Sequence, residues 1–359
     1  MSAARTSWWT WAWPVASWLV LLLALVLGAG ELVSALAGIA LFGAVFAAVY
    51  HAEVIAHRVG EPFGTLVLAL AVTTIETALI VSVMIAAPAE KAGLARDTVF
   101  AAVMIVCNGI VGLSLLMGGA RHREQGFQIQ GASAALVVLA ALTFLALILP
   151  NYAAAELGPA YTTPQLVFAG FVSLVLYGAF VFVQTVRHRD FFLPVKTDDE
   201  EIHEHPPSVQ TTLLSAGLLM VSLVGIVGLA KALTPTVELT ITRLDVPKAV
   251  VGVVIAALVL LPEALAALRA AQMNRLQTSL NLALGSALAT IGLTIPAVAA
   301  VSIVLGQRLQ LGLDSKDQSL LAITLFISVI TFGTGRTTVL QGIVHLMIFA
   351  AFMFFAVAP

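Results

Sequence analysis

Charge is what this sequence most conspicuously lacks. Only 10% of its 359 residues are Asp, Glu, Lys or Arg, and 60% are hydrophobic, whereas a soluble domain carries about 25% charged residues. So little charge cannot clothe a water-facing surface, which excludes a soluble globular protein. Cysteine is almost missing: Cys107 stands alone in an apolar run, cannot form an intrachain disulfide and carries no redox motif. The net charge is −2 with no basic cluster, so nucleic acid is not a partner. Neither GxSxG nor HExxH occurs, and no aspartate falls at the centre of an apolar run. These absences remove the serine, zinc and paired-aspartate designs of an intramembrane hydrolase.

What the chain has in abundance is long apolar runs. Many reach 18 residues or more, enough to cross about 30 Å of hydrocarbon as a helix. They are continuous rather than alternating at period two, which excludes a β-barrel. The sequence therefore predicts an all-α polytopic membrane protein. Its spans are expected near 15–30, 32–56, 62–87, 97–118, 130–150, 163–186, 211–233, 247–271, 278–306, 318–334 and 337–357, the ninth ending at Pro296 or near Gly306. Tryptophans at 8, 9, 11, 13 and 18 read as an interfacial anchor on a retained first helix rather than a cleaved signal peptide.

Lys and Arg divide ten to seven between the two sides, the ten including Arg5, Arg58, Arg121, Arg187, Lys196 and Arg275. That bias predicts a cytoplasmic N-terminus and an outer C-terminus. Loop 187–210, with the acidic stretch KTDDEEIHEHPP, then faces the cytoplasm.

Two stretches 187 positions apart correspond. GTLVLALAVTTIETALIV (64–81) aligns with VGVVIAALVLLPEALAAL (251–268) and sets Glu76 opposite Glu263. CNGIVGLSLLMG (107–118) and GSALATIGLTIP (285–296) match more loosely. The expected division is an N-terminal helix (1–31), a first five-helix repeat (32–186), the acidic loop (187–210) and a second five-helix repeat (211–359). Five spans are an odd number, so the second copy enters the membrane inverted, as in many secondary transporters with midplane ion sites.

An ionised carboxylate at membrane depth costs roughly 2.5–3.5 kcal/mol on insertion scales, so each glutamate calls for a use or a partner. Two carboxylates facing one another in a low-dielectric site repel, and either protons or a hard cation such as Ca²⁺ relieves that repulsion. Occupancy that excludes the other occupant is the physical basis of antiport. Pro262 removes a backbone donor beside Glu263 and is expected to break the helix there, freeing carbonyls toward a cation. Thr73 and Thr74 precede Glu76 instead.

At HRVGEPFGTLVLALAVTTIETALI (57–80), VGVVIAALVLLPEALAALRAA (251–271) and NRLQTSLNLALGSALATIGLTIPAV (274–298) the chain resembles the calcium/cation antiporter superfamily. Within it, the resemblance is to the proton-coupled CAX branch and its bacterial ChaA-type sodium–calcium/proton antiporters. The resemblance implies one helix outside two inverted five-helix repeats, with Glu76 and Glu263 binding the exchanged cation and carrying protons. It also implies supporting ligands on the following helix of each repeat, at Asn108 and Ser286. Thr73 and Thr290 complete the candidate set, although a threonine in an apolar helix also bonds back to its own turn. The sequence departs from the familiar CAX pattern in lacking a Gly-Asn pair before either glutamate, and Leu260 stands where Thr73 stands in the first repeat.

His51 and His57 are six apart and fall on different helical faces, so with Glu53 they read as polar residues near a helix end rather than as a zinc site. Glu31 and Glu61 read as interfacial, and His203 and His205 as members of a solvated loop. The expected function is export of Ca²⁺, and of Na⁺ or K⁺, in exchange for protons across a bacterial inner membrane. A monovalent antiporter with little calcium activity is the alternative, and a cation channel the alternative of another class. No cofactor is called for beyond the transported ions; the partners are small cations, protons and the lipid bilayer, and a homo-oligomer stays open.

Overall fold

The computed structural model describes residues 7–28, 30–60, 63–86, 92–153, 158–193, 206–244 and 247–358. Glu61, Lys91, Lys196 and the acidic stretch with His203 and His205 lie outside them. Eleven helices follow in order: α1 (Trp9–Leu27), α2 (Glu31–Val59), α3 (Phe63–Ala86), α4 (Leu94–His122), α5 (Ile129–Asn151), α6 (Thr163–Arg187), α7 (Val209–Leu244), α8 (Lys248–Gln272), α9 (Leu276–Leu305), α10 (Ser315–Phe332) and α11 (Val339–Val357). All but α3 are long and apolar enough to span a bilayer by themselves, and α3 contributes the apolar stretch Leu66–Ser82. Each expected span is met by one of them.

Two differences stand out. Helix α7 runs eleven residues past its expected end, through Pro235 to Leu244. A hydrogen bond of 2.7 Å between Thr236 and Ser34 of α2 holds that extension. At 1.5 Å per residue, 36 residues reach about 54 Å, well beyond the hydrocarbon. Helix α9 does not stop at Pro296. It widens instead into a π turn at Thr290–Thr294 just before the proline, whose missing N–H cannot continue the tighter ladder.

The repeat shows in matching local features. The third helix of each copy carries a π turn, at Ile105–Ile110 in α4 and Thr290–Thr294 in α9. The fifth helix of each opens with a capping box: Gln165 accepts from Thr162 N and Gln341 from Thr338 N, each at 3.0 Å. With one helix before them, α2–α6 and α7–α11 form two five-helix repeats, inverted because five is odd.

The chain divides into two compact units, each drawing on both repeats. In the first, α2 packs against α1, α3 and α7. Trp18 Nε1 donates to Val221 O at 3.0 Å, and the Trp13 ring lies directly over Gly43, where a side chain would collide with it. His51 is buried and donates through Nε2 to Thr10 O at 3.0 Å, tying α1 to α2.

The second unit holds α4–α6 and α8–α11 around α4. Every residue of 98–112 is buried, as expected of a helix apolar on all sides. Outer helices expose Phe168, Phe171, Phe326 and Phe354, side chains suited to lipid. Two residues from each of two loops pair as an antiparallel clip, Gln125 with Thr337 and Gly126 with Arg336. Beside the clip, Gln125 Nε2 donates to Ala271 O and His122 Nε2 to Gln272 O, each at 2.9 Å, so the last carbonyls of α8 are held.

Candidate functional site

Glu263 sits near the middle of α8 in the second unit, 4% exposed. Val259, Leu260 and Ala267, a turn away on either side, are all buried, so the carboxylate enters the protein rather than lipid. Helix α8 runs unbroken through Pro262. The proline withholds the N–H that would reach Leu258 O, leaving that carbonyl without its helical donor one turn before Glu263. The local effect is thus a weakened ladder rather than a break.

Ser286 on α9 donates its hydroxyl to Glu263 Oε1 at 3.4 Å. Thr290 lies one turn further on the same face, buried, at the first position of the π turn. Three of the residues singled out from sequence therefore gather around α8 and α9 within one unit: Glu263, Ser286 and Thr290.

Glu76 occupies the corresponding place on α3 of the first unit and is 1% exposed. Val72, Thr73, Leu79 and Ile80 enclose it along its own helix, all buried. Thr73 shares its face one turn earlier, whereas Thr74 is exposed and bonds back to Leu70 O at 2.7 Å.

Asn108 falls inside the π turn of α4, fully buried. Its amide donates to Thr324 Oγ1 of α10 at 2.9 Å and its oxygen faces His345 Nδ1 of α11 at 3.2 Å. His345 Nε2 in turn meets Thr331 Oγ1 of α10 at 3.1 Å. Sequence reasoning overlooked His345, Thr324 and Thr331. A signal was present: a histidine within the apolar run of α11, and two threonines seven apart, two turns along one face of α10.

Chemically, the second unit supplies a buried carboxylate, hydroxyls and one amide, all hard oxygen donors, and the first unit by itself a buried carboxylate and a threonine.

Residues 13–186 and 214–358 match the profile of the sodium/calcium exchanger protein family. The chain is 49% identical over 360 residues to y4hA of Sinorhizobium fredii, described as an ionic transporter, covering 96% of this chain and 97% of that one. It is 35% identical over 324 residues to the sodium-potassium/proton antiporter ChaA of Escherichia coli, covering 89% and 87%. Among solved structures, an H⁺/Ca²⁺ exchanger CAX superposes with a TM-score of 0.72 at 16% identity, covering 96% of this chain and 87% of that one.

Proposed function

Given that the chain belongs to the sodium/calcium exchanger protein family, and is a multi-pass membrane antiporter rather than an enzyme, we propose that it exports Ca²⁺ in exchange for protons. Glu263 and its repeat counterpart Glu76 carry both ions in turn. The observation behind this reading is a carboxylate only 4% exposed within an apolar helix, met by a hydroxyl from the next helix. Such a group is costly at membrane depth unless an ion or proton neutralises it.

In the proposed cycle, Glu76 and Glu263 are ionised and cation-bound while open to the cytoplasm. Opening outward releases the cation, and protonation of the carboxylates removes the charge that would oppose the return. Ser286 and Thr290 add oxygens near Glu263, and Thr73 plays the same part near Glu76. The N-terminus lies in the cytoplasm of a bacterial cell and the C-terminus outside its inner membrane, following the distribution of Lys and Arg.

A monovalent reading has its own support, because the relative at 35% identity is named a sodium-potassium/proton antiporter. Everted vesicles acidified inside, with a fluorescent reporter of the pH gradient, separate the two. Collapse of the gradient by Ca²⁺, lost in Glu263→Gln and in Glu76→Gln, is the expected result. Collapse by Na⁺ or K⁺ alone would replace calcium with a monovalent cargo. Robust exchange by either variant would remove that glutamate from the cycle.

A further inference from the structure

Four side chains in the interior of the second unit form one chain of hydrogen bonds whose direction can be read from its end. The Thr324 hydroxyl donates to Leu320 O at 2.7 Å, so its oxygen is left to accept from Asn108 Nδ2 at 2.9 Å. The other amide atom of Asn108 is then its oxygen, and it faces His345 Nδ1 at 3.2 Å. Nδ1 must therefore carry the hydrogen. In the neutral ring this leaves Nε2 to accept from the Thr331 hydroxyl at 3.1 Å. The order is Thr331 to His345 to Asn108 to Thr324 to the backbone of α10. Exposure is 0% at His345, Asn108 and Thr324 and 3% at Thr331.

This chain does not suit proton transport. An amide neither releases nor takes up a proton at ordinary cost, so a relay would stop at Asn108. What the chain does is hold. Asn108 rides on a π turn, and within its own helix its amide also reaches Met104 Sδ at 3.9 Å. Both ends of its amide are gripped from outside that helix, by α10 on one side and α11 on the other. Close packing makes the grip rigid: a Cβ placed at Gly112 of α4 would lie 3.1 Å from His345 Cβ. A carbonyl oxygen held this way keeps one lone pair unspent by His345.

We propose that His345 is a positioning residue for cation selection, fixing through its Nδ1–H the orientation in which Asn108 offers its remaining amide lone pair to the transported cation. The inference rests on the exchange reading above and extends it to Asn108, the supporting ligand that the family resemblance implies on the third helix of the first repeat. A ligand oxygen held rigidly discriminates between cations of different radius, and one free to rotate adapts to either.

The test uses the full-length protein in everted vesicles, with Ca²⁺, Na⁺, K⁺ and Mg²⁺ as the probes. His345→Leu should raise the apparent KM for the preferred cation about fivefold or more, leave the maximal rate within about twofold, and flatten the ranking among the cations. His345→Asn keeps a donor near the Nδ1 position and should restore most of the affinity and the ranking. Thr331→Val, which removes only the contact to Nε2, should shift both in the same direction by less. His345→Leu combined with Asn108→Ala should be no worse than Asn108→Ala alone. Thermal unfolding in detergent identifies any variant that fails to fold.

Wild-type KM and ranking in a folded His345→Leu would overturn the proposal. So would a fall in maximal rate alone, or a His345→Asn variant no better than His345→Leu. Glu263→Gln runs in parallel: if it is silent while His345→Leu behaves as wild type, the positioning role falls and the exchange reading stands. If Glu263→Gln transports normally, the exchange reading falls first.

Discussion

The Ser286 hydroxyl reaches Glu263 Oε1 across 3.4 Å, joining the third helix of the second repeat to the carboxylate of its second. That length is at the long edge of a hydrogen bond, so its contribution sits toward the low end, about 1 kcal/mol. Ser286→Ala should therefore weaken cation affinity by roughly fivefold without silencing exchange. Concentration dependence in vesicles checks it, and complete loss of transport would mean Ser286 does more than donate to this oxygen.

Pro262 lies within an otherwise continuous helix. An interior proline costs a helix about 3 kcal/mol relative to alanine, and here it weakens the ladder next to the carboxylate. Pro262→Ala should raise the Tm and slow turnover several-fold while the apparent KM holds. A variant both more stable and fully active would show that the weakened ladder has no part in transport.

At Gly342, α11 lies directly against the α4 backbone. A Cβ there would lie 2.5 Å from Leu116 N and 2.9 Å from Gly112 O, both backbone atoms unable to move aside. Gly342→Ala should destabilise the protein by about 1–3 kcal/mol through overpacking, read as a lowered Tm in detergent. An unchanged Tm would count against so tight a contact.

Ser328 lies between Thr324 and Thr331 on α10, fully buried, and its hydroxyl meets no hydrogen-bond partner among the described residues. An unmet buried hydroxyl is a cost, so Ser328→Ala should be neutral or stabilising by about 1 kcal/mol. A marked drop in Tm would point to a partner that the described residues do not include.

The legible part of this fold was its apolar periodicity. Spans announce themselves because hydrocarbon tolerates only internally bonded backbone, and each of the eleven was found. Glu76 and Glu263 were legible for the same reason, since a carboxylate in such surroundings stands out whatever its neighbours. The end of α7 was not: the expected span stopped at 233, whereas the helix runs on through Pro235, with Thr236 bonded to Ser34 of α2. Nor were the π turns legible, because widening of a ladder leaves no mark on hydropathy. Asn108 was noticed by its type, yet its surroundings come from α10 and α11, more than 200 residues away in sequence. The break expected at Pro262 failed for a simple reason: losing one N–H loosens a long helix without ending it.

The clip that pairs Gln125 with Thr337 also bears on how the carboxylate helix can move. Gln125 and His122 hold the terminal carbonyls of α8, eight and nine residues beyond Glu263 and on the far side of Pro262 from Lys248. The other end is held as well: a Cβ at Gly252 would lie 2.9 Å from Asp97 C and Thr98 N of α4. With α8 held near both ends, the ladder weakened at Pro262 can give only locally, beside the glutamate. A helix held at both ends and weakened between them yields first at its weak point, and here that point adjoins a buried carboxylate.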